Sequence, residues 1–224
     1  MTKSITAIIP ARGGSSGLKD KNLLMLGDKP IVCWTVEAAL KSKLNSVVLS
    51  TDDPRIRNAV SNYNGLQVID QPSPMKDGLT NAVHVLLWYL RTLNDANVAL
   101  PDGICMLLPT SPLRTYQHIN GAIEKFNRGA KVVVSVCSSK PLHSVRRVRN
   151  GFLAPVEAGD LNAQRQDVEP IYEVNGSIYI AQPEILLKHQ TFHVEQAVPY
   201  KMGVRYSIDV NTQDDLDLLR KMIT

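Results

Sequence analysis

Ala7-Ile8-Ile9-Pro10-Ala11-Arg12-Gly13-Gly14-Ser15-Ser16-Gly17-Leu18-Lys19-Asp20-Lys21-Asn22 is the stretch from which the rest of the chain can be read. An apolar run beginning at Ile5 stops at Pro10, and a glycine-rich segment carrying Arg12, Lys19 and Lys21 follows. Such a run, bounded by turn residues, reads as a buried strand. Glycines let backbone N–H groups turn toward a ligand at close range, and nearby cations neutralise an anion held there. The segment predicts a polyphosphate cradle just after a strand. No Gly-Lys-Ser/Thr closes it as in a P-loop, and Gly13, Gly14 and Gly17 miss the dinucleotide G-x-G-x-x-G spacing. An ordinary solvated turn shares this composition, so by itself the segment leaves both readings open.

Outward from it, strand-like and helix-like patterns alternate. Strands are expected over 5–11, 46–50, 66–69, 103–108 and 131–137, and helices over 31–43, 54–62, 80–93 and 116–126. Val32, Val36, Ala39 and Leu40 recur at helical spacing, with Pro30 in the first turn. The alternation predicts an α/β fold, a mainly parallel sheet with helices on both faces. Ligands of such sheets bind beyond the carboxyl ends of the strands. The Arg12 loop, Asp52 and the turn from Thr110 to Arg114 should therefore share one rim. From 138 to 170 periodicity fades while Pro141, Gly151, Pro155 and Gly159 appear, which reads as a hairpin-rich insertion before the chain returns to the sheet at 177–181. Asp52 and Asp53 precede Pro54 and read as caps of the next helix rather than as catalytic groups. Thr212-x-x-Asp215 is a capping box, and Asp209 lies just ahead of it, so capping does not account for Asp209.

At 224 residues and 44% hydrophobic content the chain can bury a full core. The formal net charge of +4 is mild. The densest basic run, Arg146-Arg147-x-Arg149, has no interleaved aromatics, so a solvated hairpin is expected there and no nucleic-acid partner. Cys33, Cys105 and Cys137 lie in apolar stretches without metal-ligand spacing and read as buried free thiols of a reducing compartment. His189 and His193 are four apart with no carboxylate at zinc-site spacing, and read as a solvated loop. No signal peptide and no bilayer-length apolar run is visible, so a soluble, cytoplasmic protein without a membrane partner is expected.

Four further segments stand in order along the chain: Val48-Leu49-Ser50-Thr51-Asp52-Asp53, Leu107-Leu108-Pro109-Thr110-Ser111-Pro112-Leu113-Arg114, Asn175-Gly176-Ser177-Ile178-Tyr179-Ile180 and Ser207-Ile208-Asp209-Val210-Asn211-Thr212. With the opening, they resemble the acylneuraminate cytidylyltransferases, or CMP-sialic acid synthetases. That family's signatures include I-x-A-R-G-G-S-K-G-x-x-x-K-N and Leu-Gln-Pro-Thr-Ser-Pro-Leu-Arg. The resemblance implies a Rossmann-like nucleotidyltransferase fold, one domain over 1–224, in which about 138–170 and 185–200 form a small hairpin-rich dimerisation or lid insertion. It implies a homodimer that activates a 2-keto-3-deoxy sugar acid with CTP, giving a CMP-sugar for surface polysaccharide biosynthesis and pyrophosphate. An anionic sugar must approach an anionic nucleotide, so fixed cations and a divalent metal, magnesium or manganese, are implied.

By position in those motifs, Arg12, Lys21 and Asp209 are the implied catalytic residues. Ala11, Gly13, Gly14, Ser15, Asn22, Thr80, Asn81, Pro109 and Thr110 would join Arg12 and Lys21 around the nucleotide. Leu108, Arg165, Asn175 and Tyr179 would face the sugar, and Phe192 resembles an aromatic supplied by a partner subunit. Asp209 and Asn211 would take the metal. Blander readings compete: Lys21 as a solvated turn lysine, Asn22 as a cap, Tyr179 as a strand aromatic, Phe192 as interface core.

The chain also departs from the family pattern. Ser16 stands where a lysine is usual, with Lys19 close enough in sequence to replace it. Gln71 stands where some members carry an arginine, and Asn81 near a usual serine. Leu108 replaces a glutamine and Asn211 the second aspartate of the metal side. Leucine cannot replace a glutamine that bonds a sugar, so Leu108 predicts an acceptor other than N-acetylneuraminate, such as legionaminic or pseudaminic acid. A cytidylyltransferase for a different small acid, or a non-catalytic nucleotide-binding relative, are the alternatives.

Overall fold

Ile5, Ala7, Ile8 and Ile9 are at most 1% exposed, so β1 (Ile5–Pro10) is buried on both faces. A continuous apolar run is what a strand between two helical layers requires. The computed structural model describes residues 3–14, 18–71, 82–141, 144–156 and 169–223. After β1 come the short pair β2 (Met25–Leu26) and β3 (Lys29–Pro30), then α1 (Ile31–Leu40), β4 (Ser46–Thr51), α2 (Pro54–Ala59), β5 (Leu66–Asp70) and α3 (Ala82–Asp95). The chain continues through β6 (Gly103–Leu107), α4 (Tyr116–Asn127), β7 (Val132–Ser138), β8 (Arg146–Arg149) and β9 (Phe152–Pro155). It ends with β10 (Tyr172–Ala181), α5 (Pro183–His189), β11 (Val198–Met202) and α6 (Gln213–Ile223).

Seven strands form one sheet in the order β11-β7-β10-β6-β1-β4-β5. All neighbours run parallel except where β10 enters antiparallel between β6 and β7. Strand alternation sorts the core into two layers. Ala7, Ile9, Cys105 and Ile178 pack with α1, α2 and α4, whereas Ile8, Met106, Val134 and Tyr179 pack with α3 and α5. Each fully buried aliphatic side chain contributes about 1.5–3 kcal/mol. A third cluster seats Leu216 and Leu219 of α6 on Leu26, Ile31 and Val210. The expected parallel sheet with helices on both faces is present, and all three cysteines are buried and free.

Residues 185–200 carry most of α5 and the start of β11, an edge strand of the main sheet. Pro199 within β11 is compatible with an edge, where one side of the strand needs no ladder donor. After β7 the chain forms a hairpin, β8–β9, which among the described residues pairs with no strand of the main sheet. No helix among the described residues is long and apolar enough to cross a membrane.

Candidate active site

Because β10 runs against its neighbours, its amino end meets the carboxyl ends of β1, β4 and β6 on one rim. Ala11, fully buried, continues β1 by donating its N–H to Ser50 O at 2.8 Å. The chain then turns into the glycine loop. Gly13 N–H donates to Asp52 Oδ1 at 2.8 Å, and a Cβ at Gly13 would lie 2.9 Å from Asp53 Oδ2. Only glycine allows that approach. Gly14 follows at φ +64. Across the loop, the buried Asn22 donates Nδ2 to Arg12 O at 3.0 Å. Asn22 therefore braces the loop. Asp53 caps α2 by accepting from Arg55 N–H at 2.8 Å. Arg55 also reaches Asp53 Oδ2 and Asp20 Oδ1, each at 2.7 Å, tying the far side of the loop to α2. Hydrogen bonding from Arg55 holds both carboxyls below the usual range.

Arg12 is half-buried, and its Nη1 is buried without a hydrogen-bond partner among the described residues. Beside it opens a cleft of about 210 Å³ lined by Pro10, Gln71, Ala82 and Val85. Lys21, also half-buried, donates to Asn211 Oδ1 at 3.2 Å. Burial lowers the Lys21 pKa, Asp209 opposes that shift and Arg12 adds to it, which places all three charges in one field. Asp209 is delivered by Val210, whose N–H donates to Thr110 O at 2.8 Å, while the Thr212–Asp215 capping box starts α6 behind it. Asn211 Nδ2 donates to Asp209 Oδ2 at 2.7 Å, and Asp209 Oδ1 stays buried without a partner. Asn211 thus gives its oxygen to Lys21 and its nitrogen to Asp209. It bridges a cation and a carboxylate.

At the exit of β6, Pro109 is buried, Thr110 half-buried, and Leu108 lies partly exposed against the α3 side of the core. Its Cδ1 is 4.0 Å from where a Cβ of Gly176 would be. Gly176, at φ +72, turns within the part of β10 where pairing to β7 slips register between Val174 and Tyr179. Asn175 is 6% exposed, and its Oδ1 accepts from Ser135 Oγ at 2.6 Å and Ser177 N–H at 3.2 Å. Its Nδ2 donates to Ser207 Oγ at 2.8 Å. The amide is consumed in holding the bulge. Tyr179 is 8% exposed, with its pKa raised by burial and by Asp209. Phe192 is 1% exposed and packs on Tyr179 with ring centroids 5.2 Å apart. Ser15, Ser16, Thr80, Asn81 and Arg165 lie outside the described residues.

Sequence reasoning missed three contributors. Asp52 was expected on this rim but given only a capping role, Arg114 was expected there only as the end of a turn, and Gln71 was noted only as a departure. A charged residue following a buried strand and a turn with two prolines was the available signal for Arg114. Among the described residues no cluster of three metal-ligating acids, histidines or cysteines occurs. A larger cavity of about 520 Å³ opens at the other end of the sheet, between the start of β7 and α5. It contains none of Arg12, Lys21 and Asp209, and chemistry rather than volume locates the site.

A family model described as cytidylyltransferase matches residues 6–222. The chain is 32% identical to the CMP-N,N'-diacetyllegionaminic acid synthase of Legionella pneumophila, over 98% of this chain and 96% of that one. It is 30% identical to the N-acylneuraminate cytidylyltransferase of Streptococcus agalactiae serotype V, over 93% of this chain and 50% of that one. The chain therefore spans about half the length of the streptococcal relative. Among solved structures, a CMP:2-keto-3-deoxy-manno-octonic acid synthetase complexed with CTP superposes with a TM-score of 0.73, at 18% identity and 98% coverage of both chains. A 4-diphosphocytidyl-2C-methyl-D-erythritol synthase superposes at 0.72, with 13% identity and full coverage of both. These two likenesses concern the fold.

Proposed function

The chain belongs to the cytidylyltransferase family, and from that membership we propose that it transfers the cytidylyl group of CTP to a 2-keto-3-deoxy sugar acid of the sialic acid class, releasing pyrophosphate. One observation carries this reading. Arg12 Nη1 and Asp209 Oδ1 are buried polar atoms on the same rim, and neither has a partner among the described residues. A buried unpaired polar atom costs about 1–3 kcal/mol, more when charged, so both fit groups that the substrates bring. Arg12 and Lys21 suit the phosphates. As the anomeric oxygen bonds to the α-phosphorus, its proton passes to water and the bond to the pyrophosphate oxygen breaks, these cations offset the charge that moves onto the leaving group.

A divalent magnesium or manganese ion would supply Lewis-acid stabilisation of the phosphate charge. Asp209 Oδ1 would hold it. One carboxylate suffices where waters and phosphate oxygens complete the shell. The acceptor half would include Leu108, whose apolar side chain suits a deoxygenated sugar acid better than N-acetylneuraminate, and the Legionella relative's name points the same way. The reaction would run in the cytoplasm, where buried free thiols are at home.

A second copy of the chain is the proposed partner. Val148, Phe152 and Leu153 of the β8–β9 hairpin are 74–78% exposed, and an apolar groove lined by Val136, Val174, Ala197 and Pro199 lies on one face of the sheet. Replacing Phe152 and Leu153 by aspartate should shift sedimentation to the monomer. The activity is tested by pyrophosphate release with CTP, magnesium and a panel of nine-carbon 2-keto acids. Turnover of at least one supports the proposal, and none with any acceptor defeats it.

A further inference from the structure

Arg114 is 2% exposed, and its side chain meets two carbonyls and a hydroxyl. Nη1 donates to Leu108 O at 3.2 Å and Ser177 O at 2.8 Å, and Nη2 donates to Thr35 Oγ1 at 2.7 Å. Burial pulls its pKa down to about 10, and no carboxylate among the described residues pairs with it. A buried guanidinium without a carboxylate is an expensive way to fill space, and an apolar side chain of similar volume would pack at lower cost. The position makes sense only if the planar fork is needed. Its contacts explain the need. Ser177 O lies where β10 slips register, so the ordinary ladder is interrupted there. Leu108 O begins the turn that Arg114 ends, and it also accepts Ser111 N–H at 3.4 Å. Thr35 is fully buried on α1. The fork thus joins the exit of β6, the bulge of β10 and α1 through one side chain.

We infer that Arg114 is a positioning residue for the acceptor half of the site, its fork setting the spacing between the Leu108 turn and the β10 bulge. It touches no substrate. Its effect is on how far the side chain at 108 reaches toward Gly176, and through the same turn on Thr110 O, which holds Val210 beside Asp209. The inference rests on the proposed reading of Leu108 as facing the sugar acid, and its first test needs no substrate.

Methyl-labelled leucine spectra of the full chain are compared for wild type and Arg114→Lys, which keeps the charge and loses the fork. Leu108 methyl signals should move or broaden, while those of Leu186, in the core on α5, stay in place. In turnover, the acceptor KM should rise at least about tenfold, with CTP affinity within about twofold of wild type. Unmoved Leu108 methyls, or an acceptor KM in Arg114→Lys equal to that of wild type, would overturn the inference by showing that charge alone suffices. Leu186 moving together with Leu108, with CTP affinity and acceptor KM loosening in parallel, would overturn it as general destabilisation. If Arg114→Lys does not fold, Thr35→Val, which removes one of the three contacts, carries the same comparison. A wild-type protein inactive with every acceptor would sink the functional reading alone, because the methyl comparison still decides the role of Arg114.

Discussion

Asn211 Nδ2 donates to Asp209 Oδ2 at 2.7 Å, so one carboxylate oxygen is occupied and the other, Oδ1, is left buried and open. On the proposed reading, Asp209 is the carboxylate offered to the metal and Asn211 stands where the resembled motif has a second aspartate. Metal should then arrive largely with CTP and bind the free protein poorly. Calorimetry with magnesium alone should show weak binding that strengthens when nucleotide is present. Asp209→Asn should abolish turnover and leave the fold intact, since the Thr212–Asp215 box still starts α6. Asn211→Asp should lower the magnesium concentration for half-maximal rate. Tight binding without nucleotide would contradict this assignment.

Arg12→Ala should weaken CTP binding by about 1.5–3 kcal/mol, the range for a hydrogen bond to a charged group, or roughly tenfold to a hundredfold in Kd. Titration calorimetry measures it directly. An unchanged Kd would remove Arg12 from the nucleotide site.

Leu108→Gln should move acceptor preference toward N-acetylneuraminate. Competition between that sugar and a deoxygenated relative, read as a ratio of kcat/KM values, decides it. A wild type that already favours N-acetylneuraminate strongly would refute the role given to Leu108.

Asn175→Ala should cost about 1–3 kcal/mol of stability, because Ser135 and Ser207 lose a buried partner. Urea unfolding should show a lower midpoint with an unchanged slope. If stability is kept and only the acceptor KM rises, Asn175 contacts the sugar after all.

Asp20 and Asp53 are held below the usual carboxylate range, first by hydrogen bonding from Arg55. A depressed folded-state pKa stabilises the fold above the unfolded pKa of about 3.9 and loses that contribution as pH falls through the folded value. The melting-temperature gap between wild type and Arg55→Met should therefore be steady from about pH 8 to about pH 5 and close below about pH 4. A gap that widens on acidification would mean that Arg55 acts through other partners.

The strands were legible because their signal is local. Ile5 to Pro10, Val132 to Cys137 and the Gly103 to Leu107 run each end at turn residues, and a parallel strand buried on both faces has to be apolar throughout. The caps at Asp53 and Thr212 were legible for the same reason, since a cap bonds within one helical turn. Edge strand β11 was not. Pro199 argues against a strand, and only its place at the sheet's edge makes it tolerable.

The sequence by itself determined the alternating elements, the glycine loop after β1 and, through ordered motifs, the family. Tertiary structure decided which polar side chains remain available to a substrate. Nothing local to Asn175 signals its hydrogen-bond partners, Ser135, 40 residues away, and Ser207, 32 residues away. Arg114 closed a motif until its fork met Ser177, 63 residues on, and Thr35, 79 residues back. Periodicity reports which face a residue occupies. Whether its hydrogen bonds are spent inside the protein depends on strand register and on distant chain crossings, and those are set by the packing of the whole sheet.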